Sequence, residues 1–222
     1  MSATRQRADE TAPVATAIFV SGSGTNLQAV VDAVAARSLP LDVKLVVSNK
    51  SQALALERAR RAGIPVAVVE FDKRREDRAA YAVRLAEVVR ASGARLVLML
   101  GWMHVLAREF LDAGFESVLN LHPAYLPEDP TADIVTFPDG TQTPVFRGAN
   151  ALRDALAAQV PCTGASLIEI THHVDRGPLL ARKPMQLLPG ESEAAALDRL
   201  HAIEREVVRE GLQRWIERRS KA

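Results

Sequence analysis

The stretch "TAIFVSGSGTNLQAVVDA", residues 16–33, decides the fold. It opens as a short apolar run, continues as the glycine-rich turn "SGSG", and ends with Leu27, Val30 and Val31 at helical spacing, a pattern that Val34 extends. A buried strand, a glycine turn and an amphipathic helix in direct succession are the opening unit of an open α/β sheet. Gly22 and Gly24 allow a tight turn, and the free N–H groups at the start of the helix favour an anion such as phosphate. The third position of a dinucleotide fingerprint holds Leu27 and no Walker lysine follows, so a plain turn with Thr25 or Asn26 capping the helix fits equally well.

Working outward, apolar runs at 42–48, 65–70, 95–100 and 117–122 alternate with helical patterns at 51–63 and 76–91. Several of these runs are almost continuously hydrophobic, as strands buried on both faces should be. The pattern predicts an open, mostly parallel twisted sheet with helices on both faces, Rossmann-like in outline. Ser51 is expected to cap the second helix and Gly63 to end it. After residue 122 a segment rich in Pro, Asp, Thr and Gly runs to 147, followed by a helix near 149–158, strands at 165–171 and 178–187, and a long amphipathic helix from about 191. Within the irregular segment, "DIVTF" and "TQTPVF" flank "PDG", which predicts a β-hairpin with Pro144 on an edge.

Composition limits what this fold can do. The 28 basic and 27 acidic residues leave a formal charge of +1, so no general field announces nucleic acid or an anionic membrane, and an anionic ligand needs a local site. The longest apolar run, 96–107, is shorter than the roughly 20 residues of a spanning helix. With no secretory pattern in the polar first fifteen residues, the expectation is a cytoplasmic protein: a disordered leader at 1–15 and a single domain at 16–222, interrupted by a loop or hairpin insertion at about 128–147. The lone Cys162 excludes an internal disulfide and reads as a small apolar residue.

The chemistry gathers in "SVLNLHPAYLP", residues 117–127. Side chains two apart on a strand share a face, so Asn120 and His122 project together where the strand ends, which is where open α/β sheets put their ligands. Asparagine can donate to a developing oxyanion, and histidine can exchange a proton near neutral pH. In "THHVDRGP", residues 171–178, Asp175 sits in a turn before Gly177 and Pro178; a carboxylate near His122 would favour and orient its protonated form. His172 and His173 have no partners at metal-ligand spacing, so no metal is expected.

Together, "IFVSGSGTNLQAVVDA", "VVSNK", "ERARRAGIPV", "LMLGWMHVLAREFL", "VLNLHPAYLP" and "HVDRGPLLARKPM" resemble, in order and spacing over nearly all of 16–216, the folate-dependent formyltransferases, and most of all the purine-biosynthesis branch of that family. The resemblance implies transfer of a formyl group from 10-formyltetrahydrofolate, as co-substrate, to the amine of glycinamide ribonucleotide. By resemblance, Asn120 would bind the oxyanion, His122 would stabilise it and move protons, and Asp175 would keep His122 charged. Gly24, Thr25 and Asn26 match positions that hold the phosphate and its neighbours, and His201 and Glu204 match substrate contacts. Asn120, Arg78, Met103, His104, Val105 and Leu106 match the folate side. Small-molecule substrates follow, with no nucleic acid, no membrane and room for a homodimer. The chain departs from the family pattern at His104, usually arginine, at Ile168, usually histidine, at His201, usually glutamine, and in a longer loop at 128–146. A formyltransferase for another amine, on a sugar-nucleotide or an aminoacyl-tRNA, and a non-catalytic folate- or ribonucleotide-binding relative are the alternatives.

Overall fold

The computed structural model describes residues 12–221. Its first half alternates strand and helix: β1 (Val14–Val20), α1 (Thr25–Ala35), β2 (Leu41–Ser48), α2 (Leu54–Arg61), β3 (Val66–Val68), α3 (Arg78–Ala91), β4 (Leu96–Met99), α4 (Arg108–Leu111) and β5 (Ser117–His122). The hairpin strands β6 (Ile134–Thr136) and β7 (Gln142–Pro144) follow, then α5 (Ala151–Ala157), β8 (Cys162–Glu169), β9 (Leu179–Gln186) and α6 (Glu193–Arg219). The main sheet has seven strands in the order β3-β2-β1-β4-β5-β8-β9. The first five are mutually parallel, and β8 and β9 join antiparallel.

The alternation along β1 shows why both faces must be covered. Ile18 and Val20 pack with Leu27 and Val30 of α1, Ala55 and Ala59 of α2, and the apolar stripe of α6. Ala17 and Phe19 point the other way, onto Tyr81, Leu85 and Val89 of α3 and Phe110 of α4. From Thr16 to Val20 neither face of β1 reaches water, so nothing in this part of the strand needs to be polar. The chain order reverses between β1 and β4, leaving a crevice beyond the carboxyl ends of these strands, the usual ligand position of such sheets.

Three local expectations change. Val14 and Ala15, assigned to the leader, already belong to β1, where Val14 pairs with Leu41; residues 1–11 lie outside the described residues. Ser51 does not cap α2: the helix starts after Ala53 without a side-chain cap, and the Ser51 N–H is taken by Glu70. The short α4 was not expected, because four residues carry no readable period. The hairpin is present, with Thr136 opposite Gln142 and Gly140 in the left-handed region at its turn. It rests on a small apolar cluster of Tyr125, Val135, Phe137 and Cys162, in which Tyr125 and Phe137 stack at 4.6 Å. Burial there pushes the Cys162 thiol above its usual range, consistent with an inert, packing cysteine.

Candidate active site

At the end of β5 the strand alternation brings Asn120 and His122 to one face, with Asn120 opposite Ile168 and His122 opposite Ser166 of β8. His122 is 2% exposed and Asp175 8%. His122 Nδ1 lies 3.5 Å from Asp175 Oδ2, and the same oxygen accepts from the Gly148 N–H at 2.8 Å. His122 Nε2 lies 2.9 Å from the Phe146 carbonyl, which can only accept, so Nε2 carries a hydrogen. Both ring nitrogens therefore face acceptors. Asp175 has φ of 52°, a left-handed conformation that a short polar side chain tolerates better than most. Two residues on, a Cβ at Gly177 would lie 1.5 Å from the Glu169 carbonyl oxygen, so only glycine lets this turn close against β8.

This group opens into a cavity of about 470 Å³. One wall is the loop Gly22, Ser23, Gly24, Thr25 and Asn26; another is the segment from Met99 to Leu106; a third is one face of α6. On α6, Glu193, Leu197, His201 and Glu204 recur three and four residues apart and so line the cavity together.

The glycine loop starts α1 at Gly24, whose φ is 74°, and no side chain caps the helix. The first N–H groups of the helix are thus not satisfied by a Thr25 or Asn26 cap. Gly24 itself is required by packing: a Cβ there would lie 2.6 Å from that of Ala55. A Cβ at Gly22 would meet nothing within 4 Å, so packing does not require a glycine there. Asn26 Nδ2 donates to Glu204 Oε2 at 2.8 Å, tying the loop to α6. Burial pushes the Glu204 carboxyl above its ordinary range, and the Asn26 hydrogen bond and the charges of His201 and Arg205 only partly oppose this.

On the other wall, Met103 and Val105 are exposed apolar residues at the cavity rim, and Leu106 is buried behind them. His104 stands edge-on to Trp102, Tyr81 and Phe71, with ring centroids at 5.9, 6.2 and 6.3 Å. Burial, then the charges of Arg78 and Lys50, hold the His104 imidazole below its usual range, favouring the neutral ring. Arg78 lines a small neighbouring recess with Phe71, Tyr81 and His104, and not the main cavity; its guanidinium sits 5.8 Å from the Phe71 ring centre.

The structure thus gathers Gly24, Thr25, Asn26, Met103, His104, Val105, Leu106, Asn120, His122, Asp175, His201 and Glu204 around one cavity and leaves Arg78 beside it. Residues not expected there include Arg153, its only lysine or arginine among the described residues, which pairs with Glu193 at 3.1 Å, and Gly148, which reaches the site by its backbone. His172 pairs with Asp112 at 3.2 Å. Among the described residues no group of three His, Cys, Asp or Glu is placed to hold a metal, and no helix is long and apolar enough to cross a membrane.

The glycine loop, Asn120 and His122 all fall within residues 14–137, which the family model described as formyl transferase matches, and the chain belongs to this family. Among curated relatives, the phosphoribosylglycinamide formyltransferase of Mycobacterium tuberculosis is 30% identical over 202 residues, 91% of this chain and 85% of that protein. The trifunctional purine biosynthetic protein adenosine-3 of Drosophila pseudoobscura pseudoobscura is 30% identical over 190 residues, but this chain spans only 13% of its length. Of solved structures, glycinamide ribonucleotide transformylase 1 from Symbiobacterium toebii aligns with a TM-score of 0.81 and 29% identity, covering 97% of this chain and 93% of that one.

Proposed function

We propose that this protein transfers the formyl group of 10-formyltetrahydrofolate to the primary amine of glycinamide ribonucleotide, as the names of its relatives suggest. The observation that carries the reading is the buried His122–Asp175 pair beside Asn120, at the junction of an apolar strip and an uncapped helix start. A folate needs an apolar slot for its flat rings, which the rim of Met103, Val105 and Leu106 offers. A ribonucleotide needs a place for its phosphate, which the N–H groups after Gly22 offer. Asn26 Oδ1, buried without a partner among the described residues, and the Glu204 carboxyl are suited to ribose hydroxyls.

With both ligands in place, the free amine attacks the formyl carbon, and the carbonyl pair moves onto oxygen. Asn120 and the positively charged edge of His122 stabilise that oxyanion. The 3.5 Å separation between Nδ1 and Asp175 is longer than an ordinary charged hydrogen bond, so the Nδ1 proton can be shared with the incoming oxyanion. The intermediate collapses by breaking the bond from the formyl carbon to N10 of the folate. The proton lost by the attacking amine ends on N10, and the His122–Asp175 pair is placed to carry it. The reading requires only small-molecule partners and no metal.

The test is steady-state formylation with 10-formyltetrahydrofolate and glycinamide ribonucleotide, with sugar-nucleotide amines and aminoacyl-tRNA as competing acceptors. Turnover that depends on glycinamide ribonucleotide is expected; turnover confined to another amine, or none, refutes the reading.

A further inference from the structure

The insertion between β5 and α5 returns to the site through Phe146, Arg147 and Gly148. The first and last touch the reacting pair directly: the Phe146 carbonyl accepts from His122 Nε2 at 2.9 Å and the Gly148 N–H donates to Asp175 Oδ2 at 2.8 Å. The residue between them, Arg147, turns back to the foot of the hairpin, donating to Asp133 Oδ1 at 3.1 Å and the Ala132 carbonyl at 2.7 Å. Arg176, next to Asp175 in the chain, does the same, donating to the same Asp133 oxygen at 3.1 Å and to the Pro130 carbonyl at 2.7 Å. One carboxylate and two carbonyls therefore hold two guanidinium groups whose chain neighbours are the groups facing the two nitrogens of His122.

We infer that Asp133, Arg147 and Arg176 are positioning residues for His122 and Asp175, a clasp by which the inserted hairpin sets the orientation of the imidazole. The reasoning is geometric. Both contacts to the pair involve the backbone, so only the path of the chain can place them, and at Asp175, a non-glycine residue with φ of 52°, that path is demanding. Backbone held in such regions keeps its shape when its surroundings over-determine it. The rigid fork of arginine, directed at fixed carbonyl groups, supplies that restraint better than a flexible ammonium would. Asp133 is 78% exposed, so its charge alone adds little to overall stability, and its effect should fall on alignment. Arg147, 17% exposed, is the more deeply set member.

The rate readout rests on the proposed formyl transfer; a second readout does not. In protein labelled with ¹⁵N-histidine, the His122 Nε2–H should give a slowly exchanging ring-proton signal, assigned by its loss in His122→Asn. Arg147→Ala should lower kcat about 10- to 100-fold with KM for both substrates within about threefold, the range expected when reacting groups are misplaced by about 1 Å. The Nε2–H signal should broaden or vanish. Asp133→Ala should lower kcat about 3- to 10-fold in the same pattern, and Asp133→Asn, which keeps the accepting oxygen, should restore most of the loss. If Arg147→Ala does not fold, the exposed Asp133 decides. Unchanged kcat with the signal intact overturns the clasp, as does a raised KM at unchanged kcat, which would make the insertion a binding surface. Should the wild type not formylate glycinamide ribonucleotide at all, the functional reading falls, while the fate of the Nε2–H signal in Asp133→Ala still tests the clasp.

Discussion

Asp175→Asn separates charge from shape at the centre of the site. One carboxylate oxygen makes both contacts, to the Gly148 N–H at 2.8 Å and towards His122 Nδ1 at 3.5 Å, so an asparagine can present its carbonyl oxygen in the same place. Asparagine also tolerates the left-handed backbone of this position, so folding should survive. What disappears is the attraction between a carboxylate and the protonated ring. At 3.5 Å and an effective dielectric constant of about 20, that attraction is about 5 kcal/mol, an upper bound of roughly 3,000-fold in rate. Solvent entering the cavity and the retained hydrogen bond reduce the loss, with about 2 kcal/mol, or roughly 30-fold, as the lower bound. The assay is steady-state formylation at saturating concentrations of both substrates, alongside thermal denaturation. The expected result is a fall in kcat within those bounds, KM within about threefold and a small change in Tm. A fall of less than about threefold, or one confined to KM, would remove the Asp175 charge from the mechanism.

His122→Ala should lose at least about 100-fold in kcat, the lower end for a positioned acid–base or oxyanion group, and near-wild-type turnover would exclude the ring from the chemistry. The two loop glycines should part company. Gly24→Ala places a Cβ 2.6 Å from that of Ala55 on a backbone at φ 74°, and should cost about 2 kcal/mol or more in a denaturation experiment whatever the loop binds. Gly22→Val meets open space, so it should keep its stability and raise KM for the ribonucleotide about 10-fold while folate binding holds; equal weakening of both ligands would refute the phosphate assignment. Glu204→Gln tests the buried carboxyl. Its folded pKa is raised by burial, so the carboxyl favours folding most below its unfolded value and loses that advantage as pH rises through the folded one. The glutamine variant should therefore lose part of the fall in stability on raising pH from about 4 to 7 while raising KM for the ribonucleotide, and an unchanged pH–stability curve would contradict the burial argument.

What was legible in the sequence follows from which groups carry the information. The sheet shows in runs such as "RLVLML", because a strand covered on both faces must be apolar throughout. Asn120 and His122 stand out because they break such a run at the same parity, and the hairpin because Pro-Asp-Gly has few other uses. Gly24 matches a phosphate-side position and lines the cavity, and the structure adds that a Cβ there would meet Ala55; a sequence marks where a glycine stands and not which neighbour excludes a side chain. Arg78 matched a family position, yet its side chain lies over Phe71 beside the cavity. The contacts of Phe146 and Gly148 with His122 and Asp175 could not be read at all, since a backbone carbonyl and a backbone N–H have no residue type. Asp133, Arg147 and Arg176 likewise look like ordinary surface charges until the chain path brings them together.

The most direct test of the central claim is a single reaction in which 10-formyltetrahydrofolate and glycinamide ribonucleotide are mixed with the purified protein, and both products, tetrahydrofolate and the formylated ribonucleotide, are quantified. The account predicts their formation in equal amounts, with kcat/KM of about 10⁴ M⁻¹s⁻¹ or higher, and near-complete loss in His122→Ala. Deformylation without a formylated ribonucleotide, or equal turnover by the His122→Ala variant, would contradict it.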